Sequence, residues 1–319
     1  MTIKIIQEAE LKQKVTLTNE ALMAVEQAFV KLAEGKVTMP PVMHLDVKEF
    51  EGEVDVKSAY IHGLDKFVIK QSSGFFNNPK KGLPSSGGLM IVIDATTGFP
   101  CALLLDNGYL TDIRTALAGA ISAKYLANKN IHTVGVIGAG NQAKYQLKAL
   151  KLVRDYKEVM IYARNTAQAK AYQDEMKSVL NCQIQVASSL EEVARSCQLL
   201  VTTTPATTPY ILPEYLHEGL HITAVGSDAA VKNEIAAACF NTFDKIICDS
   251  IEQSLVIGEC HHAQLANTFE TNKHKILTLG EFIKDKSLRR QSEQDITLCD
   301  LTGTGAQDTA IAKFALETL

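Results

Sequence analysis

The stretch "VGVIGAGNQA", Val134 to Ala143, decides the fold. A short apolar run enters a tight glycine turn and a helix-forming run leaves it, in the pattern G-x-G-x-x-A with Gly138, Gly140 and Ala143 at the key places. Gly138 permits the sharp turn out of a strand, Gly140 lets the backbone approach a pyrophosphate, and Ala143 is small enough for the helix to pack closely on its strand. The helix opening at Asn141 and Gln142 offers N–H groups and the positive end of its dipole to an anion. A bare glycine turn is weak evidence, so its surroundings decide. From His132 the rhythm becomes strand, helix, strand, helix, through "HTVGVIG", "EVMIYAR", "QIQVAS", "QLLVTTT", "HITAVGS" and "KIICDS". That alternation predicts an α/β fold, a doubly wound parallel Rossmann sheet with helices on both faces, and the glycine turn follows its first strand.

Outside this region the texture differs. Leu22, Val25, Phe29 and Leu32 recur at helical spacing behind Thr18 or Asn19, and Gly35 supplies a stop. A short alternating opening (Thr2 to Ile6) precedes them, and from Val37 to Asp106 short extended runs suggest a mostly antiparallel meander. Ser73 to Gly88, rich in glycine, proline and serine, reads as a loop. Asp112 to Lys129 reads as an alanine-rich helix, and the chain closes with a strand, a "GTG" turn and a helix.

At 319 residues two domains are the natural expectation. A net charge of −4 gives no reason to expect a nucleic-acid partner. No apolar run approaches the roughly 18 residues that span a bilayer, and the first residues lack a signal-peptide core. Seven cysteines without a C-x-x-C pair suggest reduced thiols in the cytoplasm and no metal site. His261 and His262 are adjacent, and neighbours on a helix do not converge on one ion.

NAD-selective sheets place an acid at the end of the second strand for the ribose 2′-OH. Here that position holds Ala163, Arg164 and Asn165, and an arginine suits a 2′-phosphate. The cofactor expected is therefore NADPH, with NADH as the alternative.

With these residues in view, the chain resembles the ornithine cyclodeaminase/mu-crystallin family over nearly its whole length. "MPP" at Met39 to Pro41, "FVIK" ending at Lys70, "LTDIRTALAGAISAKYLA" through Arg114, "GVIGAGNQA", "TTTP" at Thr202 to Pro205, "VGSDAAVKNEI" around Asp228 and "LTGTGAQD" carry the resemblance in this order. Within the family, "GEVDVKSAYIHGLDKFVIKQSSGFFNNP" is similar to the ketimine reductase and ectoine-utilisation branch. The resemblance implies a mixed α+β substrate-binding and dimerisation domain of residues 1–122 plus 301–319, a Rossmann domain of residues 123–300, and a homodimer. It implies that Arg114 and Lys70 hold a substrate carboxylate, that Asp228 is the catalytic acid/base, and that Thr202, Thr203, Thr204 and Gly303 lie along the cofactor. Asp228 suits a helix N-cap equally well.

Two departures separate the chain from the cyclodeaminase pattern. Lys57 stands where that pattern has glutamate, and Val42 where it has arginine. An ammonium at Lys57 disfavours a diamine such as ornithine and suits an anionic imino acid. The sequence therefore reads as an NAD(P)H-dependent reductase of cyclic ketimines, chiefly 1-pyrroline-2-carboxylate to L-proline and also piperideine-2-carboxylate to pipecolate. Ornithine cyclodeaminase and a crystallin-like NADPH-binding protein are its rivals.

Overall fold

The computed structural model describes residues 3–319, so Thr2 of the expected opening strand lies outside the described residues. Contacts divide the chain into two compact units, residues up to Arg114 with Thr304–Leu319, and Thr115–Gly303. The first division falls inside the helix Tyr109–Leu126, ahead of residue 122, and the second falls after Gly303 rather than at 300.

The first unit is built on seven strands: β1 (Lys4–Gln7), β2 (Val37–Thr38), β3 (Met43–Val47), β4 (Gly52–Ile61), β5 (Lys66–Phe75), β6 (Ser86–Asp94) and β7 (Pro100–Leu105). They lie in the order β1-β7-β6-β5-β4-β2, with β3 also paired to β4. All pairs are antiparallel except β1 with β7. The meander expectation holds, but Ser73 to Gly88 is only partly loop: β5 runs on to Phe75 and β6 starts at Ser86. The physical reason is at Gly88, where a Cβ would come within 2.4 Å of the Gln71 carbonyl oxygen. Glycine there allows close strand pairing, a use that composition alone mistakes for a turn.

Side chains alternate across this sheet. One cross-strand row runs Lys57, Lys70, Met90, Leu104, Ile6, all buried. The next row, Ile69, Ile91, Leu103 and Ile5, faces the other way and is at most partly covered. Helix Asn19–Ala33, capped by the Thr18 hydroxyl accepting from the Ala21 N–H at 3.2 Å, belongs to this unit. So does helix Gly305–Thr318, whose Thr309 hydroxyl donates to the Ala59 carbonyl at 2.7 Å.

The second unit holds β8 (Thr133–Ile137), β9 (Glu158–Tyr162), β10 (Gln183–Val186), β11 (Leu199–Thr202), β12 (His221–Ala224), β13 (Lys245–Cys248), β14 (Ile276–Thr278) and β15 (Thr297–Asp300). The sheet is parallel throughout, in the order β10-β9-β8-β11-β12-β15-β13-β14. Only β14 had no counterpart in the sequence reading, since three residues are too short to show a period. The register aligns Tyr162, Ile137, Thr202, Ala224, Asp300 and Cys248 along one carboxyl edge. The chain leaves β8 towards β9 and β10, then returns to β11 on the other side. That reversal opens a crevice at the carboxyl edge, where doubly wound sheets bind ligands. No described helix is long and apolar enough to cross a membrane.

Candidate active site

A cavity of about 790 Å³ opens at the ends of β8, β9 and β11, a size that suits a cofactor. Its walls include Gly138, Ala139, Gly140, Arg164, Thr203 and Tyr210. Gly138 sits at φ +110°, and a Cβ there would meet the Thr203 hydroxyl oxygen at 2.5 Å, so the turn demands glycine twice over. Gly140 caps the ten-residue helix Asn141–Leu150, and a Cβ built on it would meet nothing within 4 Å. That open approach to a helix N-terminus is what a pyrophosphate needs, and the residues present fit a dinucleotide.

The expected cofactor residues divide. Thr203, Thr204, Arg164 and Asn165 line the cavity; Arg164 is exposed, and the Asn165 carboxamide also caps helix Thr166–Leu180 by accepting from Ala167 N–H at 3.0 Å. Asn141, Gln142, Ala143, Thr202 and Gly303 do not line it. Ala143 is fully buried and its carbonyl accepts from the Tyr172 hydroxyl at 3.0 Å. Gln142 receives the Gln146 carboxamide at 3.4 Å. The Thr202 hydroxyl donates to Glu234 at 2.6 Å, and the Gly303 N–H donates to Asp249 at 2.6 Å. Of these five, Ala143, Thr202 and Gly303 are buried with polar groups bonded inside the fold, Gln142 bonds the next turn of its own helix, and Asn141 is exposed at the helix start.

Asp228 follows β12 by way of Val225, Gly226 and Ser227. Its carboxylate pairs with the Lys232 ammonium at 2.7 Å, with the Asp228 side chain 47% exposed and that of Lys232 only 9%. No helix starts at Asp228; the next is the short 3-10 turn Ala237–Asn241, so the N-cap reading fails.

In the first unit Lys57 and Lys70 face each other directly across β4 and β5, an arrangement that like charges disfavour. Asp308 of helix Gly305–Thr318 offsets it: Lys70 Nζ lies 3.2 Å and Arg114 Nε 2.9 Å from its two oxygens. Lys57, Lys70, Arg114 and Asp308 are all buried. These are close ion contacts without alignment, because neither Asp308 oxygen nor Arg114 Nε makes a hydrogen bond. Burial pulls the Lys70 ammonium down to about 7; Arg114 and Lys57 push the same way, and Asp308 opposes them. Burial pushes the Asp308 carboxyl up, but Arg114, Lys70 and Lys57 outweigh it and hold it below the usual carboxylate range. Asp106 stands nearby, its carboxyl raised to about 6 by burial although it accepts the Leu110 N–H at 2.8 Å.

One family model matches residues 2–319. The chain belongs to the ornithine cyclodeaminase/mu-crystallin family. It is 45% identical to an uncharacterised cyclodeaminase of Sinorhizobium fredii, over 99% of this chain and 96% of that one. The Thermococcus litoralis Δ1-pyrroline-2-carboxylate reductase, solved with NADH and L-proline, superposes with a TM-score of 0.90 at 27% identity, covering 99% and 97% of the two chains. An archaeal alanine dehydrogenase dimer with bound NAD superposes with a TM-score of 0.88 at 34% identity, covering 100% and 96%. The protein is an oxidoreductase.

Within this family frame, the sequence reading missed Asp308, Asp106, Lys232 and Glu234. Asp308 carried only an ambiguous signal, since an acid in the first turn of a helix is also favoured by the helix dipole. Glu234 looked like one more polar residue after "AAVKN". His261 and His262 each bond a backbone carbonyl, Leu255 at 3.0 Å and Lys232 at 2.8 Å. Cys248 and Cys260 place their sulfurs 3.4 Å apart beside Asp300, and one ligand-type atom from each of the three lies within 4.8 Å of the others. A search for C-x-x-C spacing overlooks this fully buried group, whose cysteines are twelve residues apart.

Proposed function

We propose that this protein reduces cyclic ketimines with a nicotinamide cofactor, chiefly 1-pyrroline-2-carboxylate to L-proline, and piperideine-2-carboxylate to pipecolate. The observation that carries the reading is the buried row of Lys57, Lys70 and Arg114 sharing the carboxylate of Asp308. Such a row favours an anionic substrate and disfavours the second ammonium of ornithine. The likeness to the Thermococcus reductase supports the same choice.

A bound NAD(P)H supplies hydride to the imine carbon. Arg114 meets the substrate carboxylate with its planar fork, and Lys70 adds a second contact to it. Lys57 contributes positive charge beside Lys70. Asp228, directly or through water, gives a proton to the imine nitrogen as the carbon is reduced. Lys232, paired with Asp228, fixes where that carboxyl points. Gly138, Gly140, Thr203 and Thr204 would hold the dinucleotide backbone, and Arg164 would meet the 2′-phosphate of NADPH, the cofactor we favour over NADH. Two copies pair through the apolar sheet row of Ile69, Ile91 and Leu103, and light scattering on the purified protein tests this with a dimer mass.

The 34% identity to alanine dehydrogenase favours a second reading, an acyclic imino acid. One experiment separates the readings. The protein is given NADPH or NADH with pyrroline-2-carboxylate, with pyruvate plus ammonium, and separately NAD⁺ with ornithine, while cofactor absorbance and ammonia are followed. Fastest turnover of the cyclic imine is expected. Preference for pyruvate plus ammonium supports the second reading, and ammonia release from ornithine sinks both.

A further inference from the structure

Glu234 is fully buried in the second unit, yet no step above uses it. Its carboxylate collects five donors. One oxygen accepts from the Thr204 N–H at 2.6 Å, the Thr204 hydroxyl at 2.8 Å and the Tyr210 hydroxyl at 2.6 Å. The other accepts from the Thr202 hydroxyl at 2.6 Å and the Gly226 N–H at 2.9 Å. Thr204 and Tyr210 are walls of the cofactor cavity, and Gly226 stands two residues before Asp228. One side chain therefore ties the end of β11 to the turn after β12.

The neighbourhood is built to hold that side chain still. A Cβ at Gly226 would lie 2.5 Å from the Glu234 carboxyl carbon and 2.3 Å from the Thr204 carbonyl oxygen, so only glycine admits the approach. A second buried acid, Glu259, accepts from the Glu234 N–H at 2.9 Å, the Ile235 N–H at 3.1 Å and the Asn233 carboxamide at 2.8 Å. The Glu234 carbonyl in turn accepts from the Tyr210 and Ile211 N–H groups at 2.9 and 3.0 Å.

We propose that Glu234 is a positioning residue that couples the cofactor cavity to the Asp228 turn, so that the dinucleotide wall and the proton donor are set by one carboxylate. This rests on the functional reading given above. The chemistry demands a carboxylate specifically. Each of its oxygens receives one backbone N–H, Thr204 on one side and Gly226 on the other, and backbone donors cannot rotate away. A glutamine presents an amide NH₂ to one of them whichever way it flips, leaving a buried donor facing a donor.

The test uses the full chain. NADH binding is measured by fluorescence titration, kcat at saturating NADH with the imine the wild type reduces, and thermal unfolding in parallel. Glu234→Gln is expected to raise the NADH dissociation constant and to lower kcat, each by about tenfold, the lower range for a buried unsatisfied donor. A change at Asp228 alone moves kcat and leaves NADH affinity in place, so the joint shift is the signature. A Glu234→Gln protein that melts earlier but keeps both constants overturns the proposal, as does one that shifts NADH affinity alone or kcat alone. Should that variant fail to fold, Tyr210→Phe removes one donor, and a smaller shift of both constants in the same directions is expected; no shift overturns the proposal. Wild-type protein that binds neither NADH nor NADPH overturns the functional reading itself, and this is seen before any variant is made; if only NADPH binds, the same titrations are run with NADPH.

Discussion

The two units bury charge in opposite styles. In the first, three cations crowd one carboxylate, and the contacts at 2.9 and 3.2 Å lack hydrogen-bond alignment. In the second, Glu234 receives five donors. A carboxylate so fully occupied has no capacity left for a ligand and serves as a strut. The cation row instead shares one counter-charge among three buried groups, and on the reading proposed above a substrate carboxylate would add a second. Complete burial alone therefore does not tell a strut from a ligand site.

The sharpest way to probe this contrast is Asp228, which sits in the second unit yet is half exposed, unlike Glu234. Asp228→Asn is expected to lower kcat for imine reduction by about 10²- to 10⁴-fold, the usual range for a general acid, with NADH affinity unchanged in a binding titration. Unchanged turnover removes Asp228 from the chemistry.

Breaking the cation row comes next. Asp308→Asn leaves Lys57, Lys70 and Arg114 buried without their counter-charge and should cost about 3–5 kcal/mol in urea unfolding at pH 7. The folded Asp308 carboxyl lies below its unfolded value, so its contribution is present above the unfolded pKa and lost as pH falls through the folded one. The gap between wild type and variant should thus narrow on acidification below about pH 4, the unperturbed carboxylate range. A gap that is flat with pH would mean that packing, not charge, accounts for the loss.

Arg164 tests the cavity side of the comparison. Arg164→Ala should weaken NADPH by about tenfold or more and NADH far less, since a phosphate–guanidinium contact is charge-assisted. Equal loss for both cofactors shows that Arg164 does not read the phosphate.

Asp300 tests burial of charge through pH alone. Burial raises its carboxyl to about 7, although the Cys260 and Glu259 N–H groups favour the charged form. The folded state keeps a proton that the unfolded chain sheds near pH 4, so Asp300 contributes most stability below that pH and loses it as pH rises through about 7. Asp300→Asn, neutral throughout, should gain stability relative to wild type between pH 5 and pH 8 in matched melts. A constant difference would place Asp300 among the ordinary ionised acids.

Much of this was legible because some residues declare themselves locally. Gly138 and Gly140 act through their own backbone, so a ten-residue window contains the argument. Arg114 and Lys70 were legible as members of ordered motifs. Asp308 and Glu234 were not, since each gains meaning only from partners far away in sequence: Asp308 from Lys70 and Arg114, Glu234 from Thr202 to Tyr210. Thr202 shows the converse failure. Its strand-end position was read correctly, but no local signal says that its hydroxyl turns inward to Glu234.

The same long reach has a consequence for how the chain is made. The Thr309 hydroxyl bonds the Ala59 carbonyl across 250 residues of sequence. When β4 and β5 have left the ribosome, Asp308 is still untranslated, so the pairing that sets Lys57 opposite Lys70 has no counter-charge yet. Domains generally fold as units during synthesis, so the second unit can close while the first waits for helix Gly305–Thr318. Closing the first unit therefore requires a non-local contact, which the fully synthesised chain alone can make.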